Sequence, residues 1–230
     1  MTDNPHNDPR FLALLADFDR EALLNDVGTI YGLWPDFTLA YFNLGWKRFS
    51  ALNGGEPKLS SEWTLGRCSL DAISKCVRPF FAANYKRCLQ EGRPWEHVYE
   101  CSSARLFRTF HMITFPVGDA EGLLVVNSLR REIAHTKNAC PPLDELYRNE
   151  HGIVTQCCHC RRMRRRGAEQ VWDWVPAWVT TQLPNTSHGL CDPCIGFHYS
   201  AKRMDGDGVE PDGRLELKPG TNVVETPSIS

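Results

Sequence analysis

Two Cys-x-x-Cys pairs, Cys157/Cys160 and Cys191/Cys194, stand about thirty residues apart in the last third of the chain, the spacing of a treble-clef or ribbon-like zinc site. Each pair can set two thiolates on one tight turn, and two such turns supply the four sulfur ligands that tetrahedral Zn²⁺ prefers. Sulfurs at i and i+3 can face one ion, whereas Cys158 at i+1 is directed away from it. The expected ligands are therefore Cys157, Cys160, Cys191 and Cys194. Four thiolates leave no open position for a substrate, which argues for a structural ion and against catalysis. Zinc also answers a packing problem. A segment of about 45 residues buries little apolar surface alone, and metal binding contributes about 10 kcal/mol of folding free energy in comparable peptides. The competing readings of these sulfurs are a redox-active dithiol or cluster, and no site at all. His188 and His159 are substitute ligands if one cysteine stays free; otherwise His188 is expected to support or pack the turn and His159 to face solvent.

The chain has 230 residues, enough for one sensor-sized domain and a small module, and 42% of it is hydrophobic, enough for a buried core. Its formal charge of -2 gives no global pull toward nucleic acid or an anionic membrane. One basic cluster, Arg161, Arg162, Arg164, Arg165 and Arg166, follows the first cysteine pair. No apolar run approaches the ~20 residues needed to cross a bilayer, and no basic segment followed by an apolar core opens the chain. Ten cysteines without an export signal point to reduced thiols and metal ligation in a cytoplasmic setting more than to a disulfide framework.

Residues 1–23 read as a leader, flexible to about residue 10, followed by an amphipathic helix. Phe11, Leu12, Leu14, Leu15, Phe18, Ala22 and Leu23 recur at helical spacing. This helix can pack on the sensor domain or pair with its copy in a homodimer. Gly28 to Phe42 reads as a hairpin turning at Trp34-Pro35-Asp36, and Asn43 to Leu52 as a short helix ending at Asn53-Gly54-Gly55. Ser69 to Gln90 is a longer helical stretch in which Pro79 marks a kink or a new start. Strands are expected over Trp95 to Cys101, Arg105 to Phe115 and Gly122 to Ser128, the last two joined by the turn Gly118-Asp119-Ala120-Glu121-Gly122.

Two strands, helices, then three strands is an order that resembles the PAS domain family over residues 24–131. The resemblance rests on Asp36, Tyr41 and Asn43 at the first hairpin and helix start, on Leu65-Gly66-Arg67 before the long helix, and on the strands His111 to Phe115 and Leu123 to Asn127. It implies an α+β fold, an antiparallel sheet with flanking helices, and a small ligand held between the long helix and the sheet. Residues 132–152, with Pro141-Pro142, read as a linker that includes a short helix, and residues 201–230 as a mobile tail rich in Gly, Asp and Pro.

Residues 153–200 carry Cys157-Cys158-His159-Cys160-Arg-Arg-Met-Arg, a Trp-rich stretch, and Ser187-His188-Gly189-Leu190-Cys191-Asp-Pro-Cys194. This is similar to a cysteine module that bacterial signalling proteins carry after PAS or receiver domains. Trp172, Trp174, Val175, Trp178 and Val179 are expected to form its small core and its docking face on the PAS-like domain, or else an exposed partner surface, with Pro176 in the first turn of a helix toward Gln182 and Asp173 or a neighbour near the cap. The arginines read as a solvated face, or as partners of an acidic protein or of the chain's own carboxylates; nucleic acid is not expected.

A haem would need an axial ligand from Cys76, Cys88, His97 or His111, each more simply a core or surface residue. A light-oxygen-voltage flavin site needs Gly-Arg-Asn-Cys-Arg-Phe-Leu-Gln, and Gly66-Arg67-Cys68-Ser69-Leu70-Asp71 departs from it, so Cys68 is an ordinary helix-start residue. Haem and flavin are thus not favoured, and the pocket's ligand stays unnamed. No nucleophile elbow, phosphate loop, His-Glu-x-x-His or dinucleotide fingerprint is present, so no enzyme is expected. The expectation is a cytoplasmic signalling protein: a PAS-like sensor of a small molecule plus a four-cysteine zinc-knuckle module, relaying by protein contact. The alternatives are a redox sensor in which Cys157, Cys158 and Cys160 exchange zinc for a disulfide, and a nucleic-acid-binding regulator using Arg161 to Arg166.

Overall fold

The computed structural model describes residues 7–135, 138–181, 183–199 and 223–224. By its contacts the chain divides into two compact units, Met1–Ile73, Phe81–Val98 and Phe110–Arg130 in one and Ser74–Phe80, Tyr99–Thr109 and Arg131–Ser230 in the other.

The first unit runs α1 (Pro9–Leu14), α2 (Arg20–Asn25), β1 (Thr29–Leu33), β2 (Leu39–Phe42), α3 (Leu44–Leu52), α4 (Lys58–Glu62) and a 3-10 turn (Ser69–Ala72). It continues with most of α5 (Arg78–Glu91), β3 (Trp95–Glu100), β4 (Leu106–Val117) and β5 (Gly122–Ala134). The five strands form one sheet in the order β2-β1-β5-β4-β3, in which β1 pairs antiparallel with both β2 and β5. At the hairpin, Asp36 accepts from the Thr38 N–H and hydroxyl, which closes the Trp34-Pro35-Asp36 turn.

Asn43 joins hairpin to helix. Its Oδ1 accepts from the N–H of Ile30 and, as the N-cap of α3, from that of Trp46, while its Nδ2 donates to the carbonyls of Asp26 and Gly28. Gly45 follows because a Cβ there would meet the Gly28 carbonyl.

The N-terminal helix is two helices, not one. Asp19 takes the Ala22 N–H on its side chain and starts α2, which competes successfully with a continuous helix from Phe11. The apolar face of α1 is spent inside the unit: Phe11 and Leu15 are fully buried in a cluster with Ile30, Ala40, Tyr41, Val117 and Leu124. The end of the leader is likewise tied down. Asn7 donates to the Phe42 carbonyl and accepts its N–H, and the Asp8 N–H donates to Ala40, satisfying the outer edge of β2. Residues 1–6 lie outside the described residues.

The helical stretch beginning at Ser69 also divides. The 3-10 turn ends at Ala72, and α5 begins at Arg78 with Pro79 in its first turn, where a missing N–H is tolerated. Strand β5 runs on to Ala134 rather than stopping near Ser128, so the first residues of the expected linker are strand.

The second unit holds α6 (Asp144–Tyr147), β6 (Val154–Cys157), β7 (Met163–Arg165), β8 (Ala168–Asp173), α7 (Ala177–Thr180), β9 (Thr186–Gly189), α8 (Asp192–His198) and β10 (Val223–Val224). Its sheet order is β10-β9-β6-β7-β8. The remainder of the expected linker is not a passive connection, because Tyr147 is buried with Val154, Met163 and Val175. Asp173 does not cap α7: its carboxylate accepts from the Tyr147 hydroxyl and from Arg165. Gln182, like the expected mobile tail apart from Val223–Val224, lies outside the described residues.

Candidate metal centre

The two cysteine pairs are brought together by one pairing. Strands β6 and β9 run parallel with Val154 opposite Thr186 and Cys157 opposite Gly189, so both chains leave the sheet at the same end. The first pair then sits on a tight turn in which the Cys157 N–H donates to Arg162 and the Arg161 N–H donates back to Cys157. Arg161 adopts the left-handed φ of 57° that this turn needs. The second pair begins α8: Cys191 is its N-cap, Pro193 falls in its first turn, and the Cys194 N–H donates to the Cys191 carbonyl.

The four sulfurs all lie within 4.8 Å of one another, and all four residues are buried. Cys157 and Cys160 place Sγ 3.7 and 3.6 Å from Cys191 Sγ. Zinc bound to four thiolates at about 2.3 Å separates neighbouring sulfurs by about 3.8 Å, so the set fits a tetrahedral zinc ion. Trp172 and Leu190 pack against the cluster and shield it. Contacts among the four sulfurs, first that with Cys160, hold the Cys157 thiol far below its ordinary value, while contact with Cys157 is the first cause holding Cys160 and Cys194 far above theirs. A cation is what lets all four ionise together.

The histidines fall outside the four-cysteine cluster. His188 lies on β9, opposite Gln156 on β6 and Val223 on β10. His159 is not solvent-facing as its position in the knuckle suggests. It is buried, its ring stacks on His198 at 3.9 Å, and its Nε2 lies 2.8 Å from the Tyr199 hydroxyl. Burial holds its imidazole below the usual range.

Cys158 does turn away from the four sulfurs, but toward another thiol: it is bonded to Cys76, 82 residues earlier. That partner was invisible to spacing, which carries no signal over such a separation; the cue is a cysteine at i+1 that an ion held by Cys157 and Cys160 would not use.

The tryptophans divide their roles. Trp172 covers the sulfurs, Trp174 is buried with His135 at 4.3 Å, and Trp178 stacks edge-on against Tyr147. Two of the arginines are used internally. Arg165 pairs with Asp173 at 2.9 Å, and Arg164 reaches the Thr155 hydroxyl.

In the first unit each residue considered for haem ligation has another engagement, as does Cys76 through its sulfur bond. Cys88 is buried and donates to the Thr114 carbonyl, and burial pushes its thiol up to about 11. His97 stacks on Trp95, and His111 meets Glu96 at 2.9 Å. Among the described residues no helix is long and apolar enough to cross a membrane.

No protein-family model and no curated protein matches this chain. Among solved structures, 43 chains match. One is described as "Structure of an RNA-binding Light-Oxygen-Voltage Receptor"; it is 17% identical, with a TM-score of 0.33, over 56% of this chain and 37% of the receptor. The chain therefore spans well under half of that receptor, and the likeness is distant. The molecule is described by its own features: helices on an antiparallel five-stranded sheet, and a second sheet that gathers four buried cysteines.

Proposed function

We propose that this protein is a sensor that binds a small molecule between α5 and the sheet of its first unit and relays the event to a protein partner, with structural zinc holding its second unit. The observation that carries the reading is the closed sulfur cluster: four buried thiols at zinc spacing, roofed by Trp172 and Leu190, leave no position for a substrate. Function then lies in binding, not in turnover at the metal. The region proposed for the ligand is aromatic. Tyr85 of α5 meets Phe37 at 5.6 Å and Trp95 at 5.6 Å, and its hydroxyl lies 3.4 Å from that of Tyr31. Such an aromatic region suits a flat or apolar molecule, which the two phenols would orient by exchanging their present contacts with each other and with Met112. A ligand acts there by favouring one packing of α5 on the sheet over another. The partner is proposed to be a signalling protein, since Arg164 and Arg165 are engaged within the unit and do not form a free phosphate-binding row.

Native mass spectrometry with an absorption spectrum of the purified full chain tests this reading. The expected result is one zinc per chain and a small organic adduct, recovered from purification or taken up from a metabolite extract, that is released on unfolding. A chain that carries zinc alone and takes up nothing would overturn the sensor assignment while leaving the metal centre intact.

A further inference from the structure

Two sulfurs outside the metal centre are joined. Cys76, two residues before α5, is bonded to Cys158, which stands inside the first knuckle between ligand candidates Cys157 and Cys160. Both residues belong to the second unit. We infer that Cys76 and Cys158 form an oxidation site, a reversible thiol pair that ties the segment entering α5 to the zinc knuckle while the zinc stays bound.

Exposure and surroundings support this. Cys76 and Cys158 are only half-buried, whereas Cys157, Cys160, Cys191 and Cys194 are 7% exposed or less, so an oxidant in solution reaches the pair before the metal ligands. Solvent-reachable disulfides are the labile, regulatory kind, and buried ones resist reduction. Cys68, Cys101 and Cys140 are also half-buried, but none is bonded to a second sulfur. Ser74 completes the site: its hydroxyl lies 3.6 Å from Cys76 Sγ and 3.5 Å from Cys158 Sγ, within hydrogen-bonding reach of both. Ser74 is a positioning residue, able to donate to the oxygen that leaves.

The co-reactant is a hydroperoxide. One thiol attacks the outer peroxide oxygen, the O–O bond breaks, an alcohol or water leaves with the thiol proton, and a sulfenic acid remains. The second sulfur then displaces the hydroxyl as water, forming the S–S bond; the peroxide has taken two electrons and both thiol protons end on oxygen. A dithiol reverses the step by exchange. Because the zinc tetrahedron is filled without Cys158, closing the pair takes no ligand from the metal. The site thus differs from a switch in which the knuckle cysteines themselves give up zinc, and it does not rest on the identity of the sensor's ligand.

The test treats reduced, zinc-loaded full-length protein with graded hydrogen peroxide, then traps thiols, maps disulfides by mass spectrometry and measures bound zinc. The inference expects the Cys76–Cys158 peptide to appear first, zinc to remain at one per chain, and dithiothreitol to restore both thiols in the folded protein. Cys76→Ser, which leaves the knuckle sequence intact, should bind zinc normally and accumulate a dimedone-reactive sulfenic acid at Cys158. Ser74→Ala should slow closure several-fold without changing zinc content. Three results would overturn the inference: no Cys76–Cys158 peptide at any dose, zinc released in step with disulfides that include Cys157 or Cys160, or a bond that dithiothreitol reduces only after unfolding.

Discussion

Asn43 uses its carbonyl oxygen on two backbone N–H groups and its amide on two backbone carbonyls, with no exposed surface. No other side chain of that length both donates and accepts in this way, so Asn43→Ala should cost about 2–4 kcal/mol in denaturant unfolding, through a lost helix cap and buried groups left unpaired. A change within the ordinary scatter of surface substitutions would show that the junction does not depend on it. Two other buried groups set an alkaline limit. Cys88 is held at about 11 against an ordinary 9.0 and Tyr41 at about 12 against 10.0, both chiefly by burial. The unfolded chain therefore loses these protons first. Stability is full below pH 9 and falls as pH rises from 9 toward 12, measurable by unfolding at a series of pH values. Cys88→Ala should flatten the lower part of that slope; a level profile in the native protein would contradict the burial argument.

Helix α1 shows what one short element contributes when glycines make room for it. Added Cβ atoms at Gly32 and Gly122 would both strike the Phe11 ring, so β1 and β5 each leave a space that Phe11 fills. Phe11→Ala should destabilise the first unit by about 3–5 kcal/mol, read as a lower unfolding midpoint. The helical period of Phe11 to Leu23 was legible in the sequence; the break within it was not, because it depends on whether Asp19 caps Ala22 or lies on a continuous face. Hairpin β1–β2 was legible for a different reason. Its turn is made by residues adjacent in sequence, and Asp36 carries the bond itself. The outer half of β5 was missed because every residue from Ser128 to Ala134 is exposed and gives no inside-outside alternation.

The whole molecule is best understood through the parallel pairing of β6 and β9, two four-residue strands that the sequence did not reveal as neighbours. Strands so short and so far apart have little reason to meet in water, and an ion shared by the four cysteines of their following turns would supply one. This is why the four clustered cysteines could be picked out from spacing while the sheet that delivers them could not. Removing the metal with a chelator under reducing conditions should therefore abolish hydrogen-exchange protection from β6 to α8 and leave that of β1, β2 and α3 in place. Equal protection in both units after confirmed zinc loss would place the stability of the second unit elsewhere, in the Tyr147–Met163–Val175 cluster. The most direct measurement is X-ray absorption at the zinc edge on purified full-length protein. The account predicts one zinc per chain with a shell of four sulfurs at about 2.3 Å. A shell containing nitrogen or oxygen, fewer than four sulfurs, or no stoichiometric zinc would contradict it.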